Sequence, residues 1–492
     1  MATCNPLFLA IYATIVAGII FCTFVILSSV DTSLPAAGAG DGGNKKYFPS
    51  PNVTGTPRLQ REPSDMFTRA IWDVPVDSKM PGMKSFLLTK EMVKHHAKDN
   101  IIIVTFGNHA FLDFILNWVK HLTDLNIFNI LVGAMDTKLL EALYWKGIPV
   151  FDMGSKMVTV DVGWGSAKFH KMGREKVLLI NALLPFGYEL LMCDTDMVWL
   201  KAMPQQLKLE PYAVHTTFQF AGSDGKRHRL REAMLFYDQP AYYDTPGGFL
   251  SFKPGIPKSL LLDGPHTLQS HFSLVNYQLR QIRTALAVAC LLNRTLVMPP
   301  LWCRFERMWF GHPGILEGTL TKQPFVCPMD HLFEIHTMLH GLSEEEFGPQ
   351  IHFREYSFLQ NPSVPKHVKE SLLNVQLCDA HSKGCNISDG TTSRGFIQFP
   401  RNSTEHMYMQ VFSQHKDIKV LHFSSMANAF QGFNDEAREV KFRNRMKRYV
   451  GMWCCVENRD PGHIYYDIYW DEKPEWKPEP PRTSQDDHPP WD

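Results

Sequence analysis

From Pro6 to Val30 the chain runs 25 residues without a charge. As a helix this stretch is about 37 Å long at about 1.5 Å per residue, enough to cross a hydrocarbon layer of about 30 Å. A cleaved signal has a shorter apolar core, a basic start and a small-residue cleavage site, whereas the five residues before Pro6 include no Lys or Arg. The pattern predicts a retained anchor over 6–30 behind a short tail, 1–5. Residues 31–84 are rich in Gly, Pro, Ser and Asp and show no hydrophobic period, which predicts a flexible stem.

A regular alternation follows. Ile101–Phe106 reads as an almost wholly apolar strand, and Ala110–Leu122 carries the apolar stripe of a helix. Phe128–Val132, Ile148–Phe151 and Tyr188–Cys193 read as further strands, with helices over Leu139–Trp145 and Phe169–Leu184. Strands and helices alternating with short links predict a parallel sheet covered on both faces. From Met203 to Pro257 the pattern is poor and yields no clear strand–helix unit. It resumes with a long helix, Leu268–Leu292, strands at Thr295–Met298 and Lys419–Phe423, and a charged helix, Asp435–Tyr449. The expected organisation is two α/β domains, 85–258 and 259–470, with a Pro-rich, acidic tail over 471–492.

Composition narrows the functional class. Lys+Arg and Asp+Glu are both 50, so the chain lacks the basic excess of a nucleic-acid binder. With 44% hydrophobic and 20% charged residues it is not a disordered chain. Eight of the ten cysteines follow the anchor and none forms a CxxC pair, which argues against a zinc ribbon. In an oxidising lumen they allow several disulfides, with the pairing left open. Asn52, Asn293, Asn386 and Asn402 each head a glycosylation triplet. Together these features predict a single-pass type II membrane protein with its body in the lumen.

The chemistry concentrates at Leu191–Leu200, LMCDTDMVWL. Asp194 and Asp196, separated by Thr195, follow an apolar strand in the fourth position of the alternating region. Ligands of open α/β sheets bind beyond the carboxyl ends of the strands. Two carboxylates there suit a divalent cation, Mn²⁺ or Mg²⁺, bridging a diphosphate. The alternative is a solvated loop. In the preceding helix Phe169, Met172, Leu179, Ile180 and Leu183 form the inward stripe, and Lys176 falls on it. Lys176 either snorkels or faces an anion, and Arg174 and Lys171 are available to the same diphosphate. Gly107 and Asn108, at the end of the first strand, are the natural nucleotide-facing turn, or an ordinary strand-to-helix link. His215 either completes the metal shell or is a strand histidine with a structural hydrogen bond. Gly163–Lys168 lacks the third glycine of a dinucleotide fingerprint and reads as a tight turn, with Trp164 as an aromatic wall. His336 and His340 have metal-ligand spacing but no third ligand nearby in sequence, and Glu344–Glu346 reads as a solvated face.

Several blocks are specific. Gly163–Lys176 (GWGSAKFHKMGREK) and Leu184–Leu200 (LPFGYELLMCDTDMVWL) are followed by EPYAVHTTFQ at Glu210–Gln219, PGGF at Pro246–Phe249, YVGMWCC at Tyr449–Cys455 and PGHIYY at Pro461–Tyr466. From about Thr68 to the end, the chain resembles the plant Golgi arabinosyltransferases of glycosyltransferase family seventy-seven. That resemblance implies a GT-A-like nucleotide-sugar transferase domain followed by the second α/β domain. It implies transfer of L-arabinofuranose from UDP-β-L-arabinofuranose to hydroxyproline-linked arabinosides of extensin, with retention, Mn²⁺ dependence and partner arabinosyltransferases. Asp194 and Asp196 fall on the family's acidic pair. Leu268–Arg304 bears a weaker likeness to the helix–strand unit of fucosyltransferase-like folds. One departure stands out: the family has a long stretch between the acidic pair and the segment equivalent to Gln205–Gln219, whereas here Leu200-Lys201 runs almost directly into it. The chain is therefore expected to lack part of the acceptor side, and the alternative function is a non-catalytic Golgi isoform that binds a partner.

Overall fold

The computed structural model describes residues 79–475, apart from 164, 201–211, 218–220, 264–267, 305–323, 380–381, 383–384, 386–394, 451 and 455–462. The expected anchor, the expected stem up to residue 78, Asn52, Asn386, Trp164 and most of the tail lie outside the described residues. Among those described, no helix is long and apolar enough to cross a membrane.

A short helix, α1 (Lys90–His96), precedes the first sheet. Strands β1 (Ile101–Gly107), β2 (Ile130–Ala134), β3 (Val150–Asp152) and β4 (Glu189–Met192) form a four-stranded parallel sheet in the order β3-β2-β1-β4. Helices α2 (Leu112–Asp124), α3 (Thr137–Trp145) and α4 (Ala167–Leu183) make the connections. The apolar run of β1 is buried from Ile102 onward. Beside it α2 buries Phe114, Ile115, Trp118, Val119 and Leu122, the 3.6-residue stripe of its sequence. Asp136 starts α3 by accepting from the Leu139 amide at 3.0 Å, and its other oxygen accepts from the His109 amide at 2.7 Å. Ser166 caps α4 in the same way through the Phe169 amide.

The expected cover on both faces fails at one margin. Among the described residues strand β4 pairs only with β1, and its exposure alternates, with Leu191 40% exposed. Over it α4 buries Leu179 and Leu183 but leaves Val177, Leu178 and, just beyond its end, Leu184 exposed. The strand read from sequence as a buried member of the sheet is a half-covered edge.

The second sheet has six parallel strands in the order β11-β8-β7-β14-β12-β13. These are β7 (Phe249–Phe252), β8 (Thr295–Val297), β11 (Phe353–Arg354), β12 (Leu372–Cys378), β13 (Phe396–Pro400) and β14 (Val420–Phe423). Because β7 lies inside this sheet, the second α/β layer begins before the expected boundary at 259. Gly248, at φ +69°, leads into β7 where a Cβ would sit 2.6 Å from the Lys419 carbonyl oxygen, so the close strand approach requires glycine. A hairpin of β9 (Leu301–Cys303) and β10 (Phe325–Cys327) is tied by a Cys303–Cys327 disulfide, and Cys378–Cys385 closes a loop after β12. Cys193 and Cys290 are free thiols.

The stretch from Met203 to Pro257, where the pattern yields no clear strand–helix unit, holds β6 (Ala213–His215), α5 (Gly222–Glu232) and β7. Strand β6 pairs antiparallel with β5 (Met197–Trp199). Helix α5 was invisible to hydrophobic period because ion pairs hold it. Arg227 meets Asp113 of α2, Arg229 meets Asp330, Arg231 meets Asp238, and Glu232 accepts from the Met329 amide. Leu230 is its only fully buried apolar side chain. Further helices include α6 (Leu268–Leu292), α7 (Ile335–Leu339) and α8 (Glu436–Tyr449).

Candidate functional site

Strands β1 and β4 run side by side, and the chain turns beyond their carboxyl ends. The Cys193 amide donates to the Val104 carbonyl at 2.8 Å, and the Thr105 hydroxyl donates to the Cys193 carbonyl at 3.0 Å. These two bonds fix the backbone that carries Asp194. Gly107 ends β1, where a Cβ would lie a tight 3.3 Å from Ile115 of α2 and in ordinary contact, 3.7 Å, with the Thr195 methyl. The Met197 amide then closes on the Asp194 carbonyl and starts β5. In the β5–β6 pair, Met197 stands opposite His215, which returns the imidazole to the acidic pair.

The side chains converge. His215 Nε2 lies 3.0 Å from Asp196 Oδ1 and 3.6 Å from Asp194 Oδ2. One ligand atom from each of Asp194, Asp196 and His215 falls within 4.8 Å of the others. Lys176 Nζ donates to Asp194 Oδ1 at 2.5 Å, and Lys226 Nζ donates to Asp196 Oδ2 at 2.5 Å. The Thr216 hydroxyl reaches the Asp196 backbone carbonyl at 3.3 Å. Asp196 is buried, whereas the Asp194 side chain is 41% exposed. Two carboxylates thus face two ammonium groups, one lysine to each aspartate. Compensation of this kind is what allows a carboxylate as buried as Asp196.

The structure brings Lys176, Asp194, Asp196 and His215 together as the sequence suggested, with Gly107 packed on Thr195. It separates others. Lys171 donates to the Ser155 carbonyl at 2.9 Å instead of facing the cluster. Arg174 is exposed and makes no ion pair among the described residues. Asn108 is fully buried, and its amide donates to the Val158 and Val160 carbonyls at 2.6 and 2.9 Å. Its side chain therefore clamps the loop after β3 and does not present donors to a nucleotide. Of the four glycosylation triplets, Asn293 and Asn402 are described, and both are exposed. Lys226 and Thr216 were missed. Thr216 adjoins His215 and was within reach of the same reasoning, but Lys226 sits on the ion-paired helix that no apolar pattern marks.

A family model for nucleotide-diphospho-sugar transferases matches residues 125–207, the segment that runs from β2 through the acidic pair. Arabinosyltransferase XEG113 of Arabidopsis thaliana is 49% identical over 635 aligned residues, covering 99% of this chain and 98% of that protein. Beta-arabinofuranosyltransferase RAY1 of the same plant is 24% identical over 178 residues, 30% of this chain and 33% of that protein. The first alignment is 143 positions longer than the 492 residues of this chain, so the relative carries positions with no counterpart here. No solved structure matches the chain.

Proposed function

This chain belongs to the family of nucleotide-diphospho-sugar transferases that includes arabinosyltransferase XEG113, and on that premise we propose that its acidic pair holds the donor of an arabinosyl transfer. The donor is UDP-β-L-arabinofuranose, and the acceptor is a hydroxyproline-linked arabinoside of an extensin-type glycoprotein, extended with retention of configuration. The setting is the Golgi membrane, with residues 6–30 as anchor, the body in the lumen and partner arabinosyltransferases nearby. One observation carries the reading: two carboxylates and an imidazole converge beyond the ends of β1 and β4, and two lysines balance them.

The donor set of two carboxylates and one imidazole fits Mn²⁺, or Mg²⁺ less well because of the nitrogen. Asp194, Asp196 and His215 would hold the ion. When bound, it neutralises the donor diphosphate and the charge that develops on the leaving group. Lys176 and Lys226 already match the two carboxylates, so these residues would take up a dication best together with the diphosphate whose charge offsets it. Lys176 and Lys226 are then the cations best placed to turn from carboxylate to phosphate oxygens. Thr216 keeps Asp196 aligned through its backbone. No side-chain base is assigned, and the leaving phosphate takes the proton of the acceptor hydroxyl.

We place the positions absent from this chain directly after Leu200, where the acceptor side would be built. The half-covered β4 edge and the exposed Val177, Leu178 and Leu184 support that placement. On this view the chain binds donor but transfers little. The second reading, a non-catalytic isoform that binds a partner arabinosyltransferase, draws on the same exposed margin. A thermal-shift titration with UDP and Mn²⁺, paired with transfer to an arabinosylated hydroxyproline peptide, separates the two. A Mn²⁺-dependent rise in melting temperature supports a formed donor site, and its absence in folded protein leaves only the partner-binding reading. Robust transfer would overturn the claim that the missing stretch matters.

A further inference from the structure

A second cluster of metal-ligating side chains lies away from the acidic pair. His336 on α7 and His340 at its C-terminal end are four residues apart, with ring centroids 5.3 Å apart. Sequence spacing offered these two and no third ligand. Folding supplies Asp224, from the first turn of α5. Its Oδ2 lies 2.8 Å from His336 Nδ1 and 3.4 Å from His340 Nε2. One atom from each of the three falls within 4.8 Å of the others. The other carboxylate oxygen lies 3.5 Å from Arg227 Nη1, a contact that orients the group and leaves Oδ2 to the two imidazoles.

We propose that Asp224, His336 and His340 form a binding site for a borderline divalent transition metal, with Zn²⁺ the best match. The chemistry differs from that of the acidic pair. Two imidazole nitrogens and one carboxylate oxygen suit Zn²⁺, whereas they are poor for Mg²⁺ or Ca²⁺, which prefer oxygen. The separations to the shared oxygen are close to the spacing of ligands around one tetrahedral ion, so small rotations of the two imidazoles complete three sides of a coordination shell. Both histidine side chains are more than half exposed, so the ion has an entry path and a fourth position for water. Without an ion, the same residues form a surface hydrogen bond between an acid and a histidine.

The position gives the site a structural consequence. Asp224 precedes Lys226 by two residues on α5, and Lys226 is the counter-ion of Asp196. An ion shared by Asp224 and the α7 histidines fastens the first turn of α5 to α7 and so steadies the helix that presents Lys226. The two clusters share no ligand, and the zinc site stands whether or not the donor site works.

The test uses the full chain, stripped of metal and then titrated with Zn²⁺ or with Co²⁺ as a visible reporter. The background is Asp196→Asn, which removes a ligand of the acidic pair. The proposal expects saturable binding of one ion, a rise in melting temperature with Zn²⁺, and Co²⁺ ligand-field absorption of tetrahedral intensity. His340→Ala and Asp224→Asn in that background should each weaken binding by about 10-fold or more. His340 is exposed, so His340→Ala should match the parent in melting temperature under chelator, which controls for folding. Unsaturable weak binding in the Asp196→Asn chain overturns the proposal, as does equal affinity in the His340→Ala variant.

Discussion

Replacing Lys226 by Met should move two binding constants in opposite directions. Its ammonium lies 2.5 Å from Asp196 Oδ2, and the Asp196 side chain is 9% exposed. At an effective dielectric of about 20, two unit charges about 4 Å apart attract by about 4 kcal/mol before desolvation is counted. After that offset, a hydrogen bond to a charged group contributes about 1.5–3 kcal/mol. In the metal-free chain Lys226 therefore competes with a dication for the same oxygen by about 2 kcal/mol. Removing it should tighten Mn²⁺ binding in the absence of nucleotide by about 10- to 30-fold, since about 1.4 kcal/mol is a factor of ten. With Mn²⁺ saturating, the lost ammonium no longer serves the phosphates, and UDP should bind about tenfold more weakly. Calorimetric titration of Mn²⁺ alone, and then of UDP into the manganese-loaded chain, reads both numbers. If both constants fall together, or neither moves, Lys226 is not a counter-ion exchanged between carboxylate and phosphate.

Asp196→Asn should abolish Mn²⁺-dependent binding of UDP-arabinofuranose, whereas Lys176→Ala, at a more exposed contact, should cost less, about 1–3 kcal/mol; fluorescence titration of a UDP analogue compares the two, and undiminished binding in Asp196→Asn would falsify the assignment. Burial lowers the His96 pKa to about 4, helped by His95, and lowers His271 to about 3, helped by Arg304. Above pH 6.5 both groups are neutral folded and unfolded, but below it the unfolded chain takes protons that the fold refuses. Stability should therefore fall from about pH 6.5 toward pH 4 by up to about 1.4 kcal/mol per pH unit for each histidine, and a denaturant midpoint that stays flat over that window refutes the assignment. Burial raises the Cys193 thiol to about 11; it should not react with iodoacetamide in native protein at neutral pH, and mass spectrometry showing rapid native labelling would contradict its burial.

What the sequence revealed depended on which force holds each element. The strand β1 and the helix α2 are built on apolar period, and reading that period located both to within a few residues. The acidic pair was legible because two carboxylates after an apolar strand demand compensation, and Lys176 was legible because it interrupts an apolar stripe. Helix α5 was not, since its contacts are charge to charge with Asp113, Asp196, Asp238 and Asp330, partners that only folding brings near. The pairing Cys303–Cys327 likewise depends on the β9–β10 register, which spacing does not encode. Asn108 stayed between two readings because a residue ending a strand can turn inward to clamp a loop, as it does here, as readily as outward to a ligand.

Among the described residues, the strand that delivers Asp194 is bonded on one side only, to β1. Its amides depend on fewer neighbours than those of β1, which is flanked by β2 and β4. Regions with few buried contacts open locally at a smaller free energy than the core, and their amides exchange with solvent first. The proposed donor site is therefore mounted on a part of the sheet that breathes. A ligand that spans Asp194 and Lys176 also pins β4 to α4, and some of its binding energy goes into quieting that margin. In a longer relative, any strand laid along β4 would perform the same quieting permanently, so the absent residues bear on how firmly the nucleotide is held as well as on what the sugar is passed to.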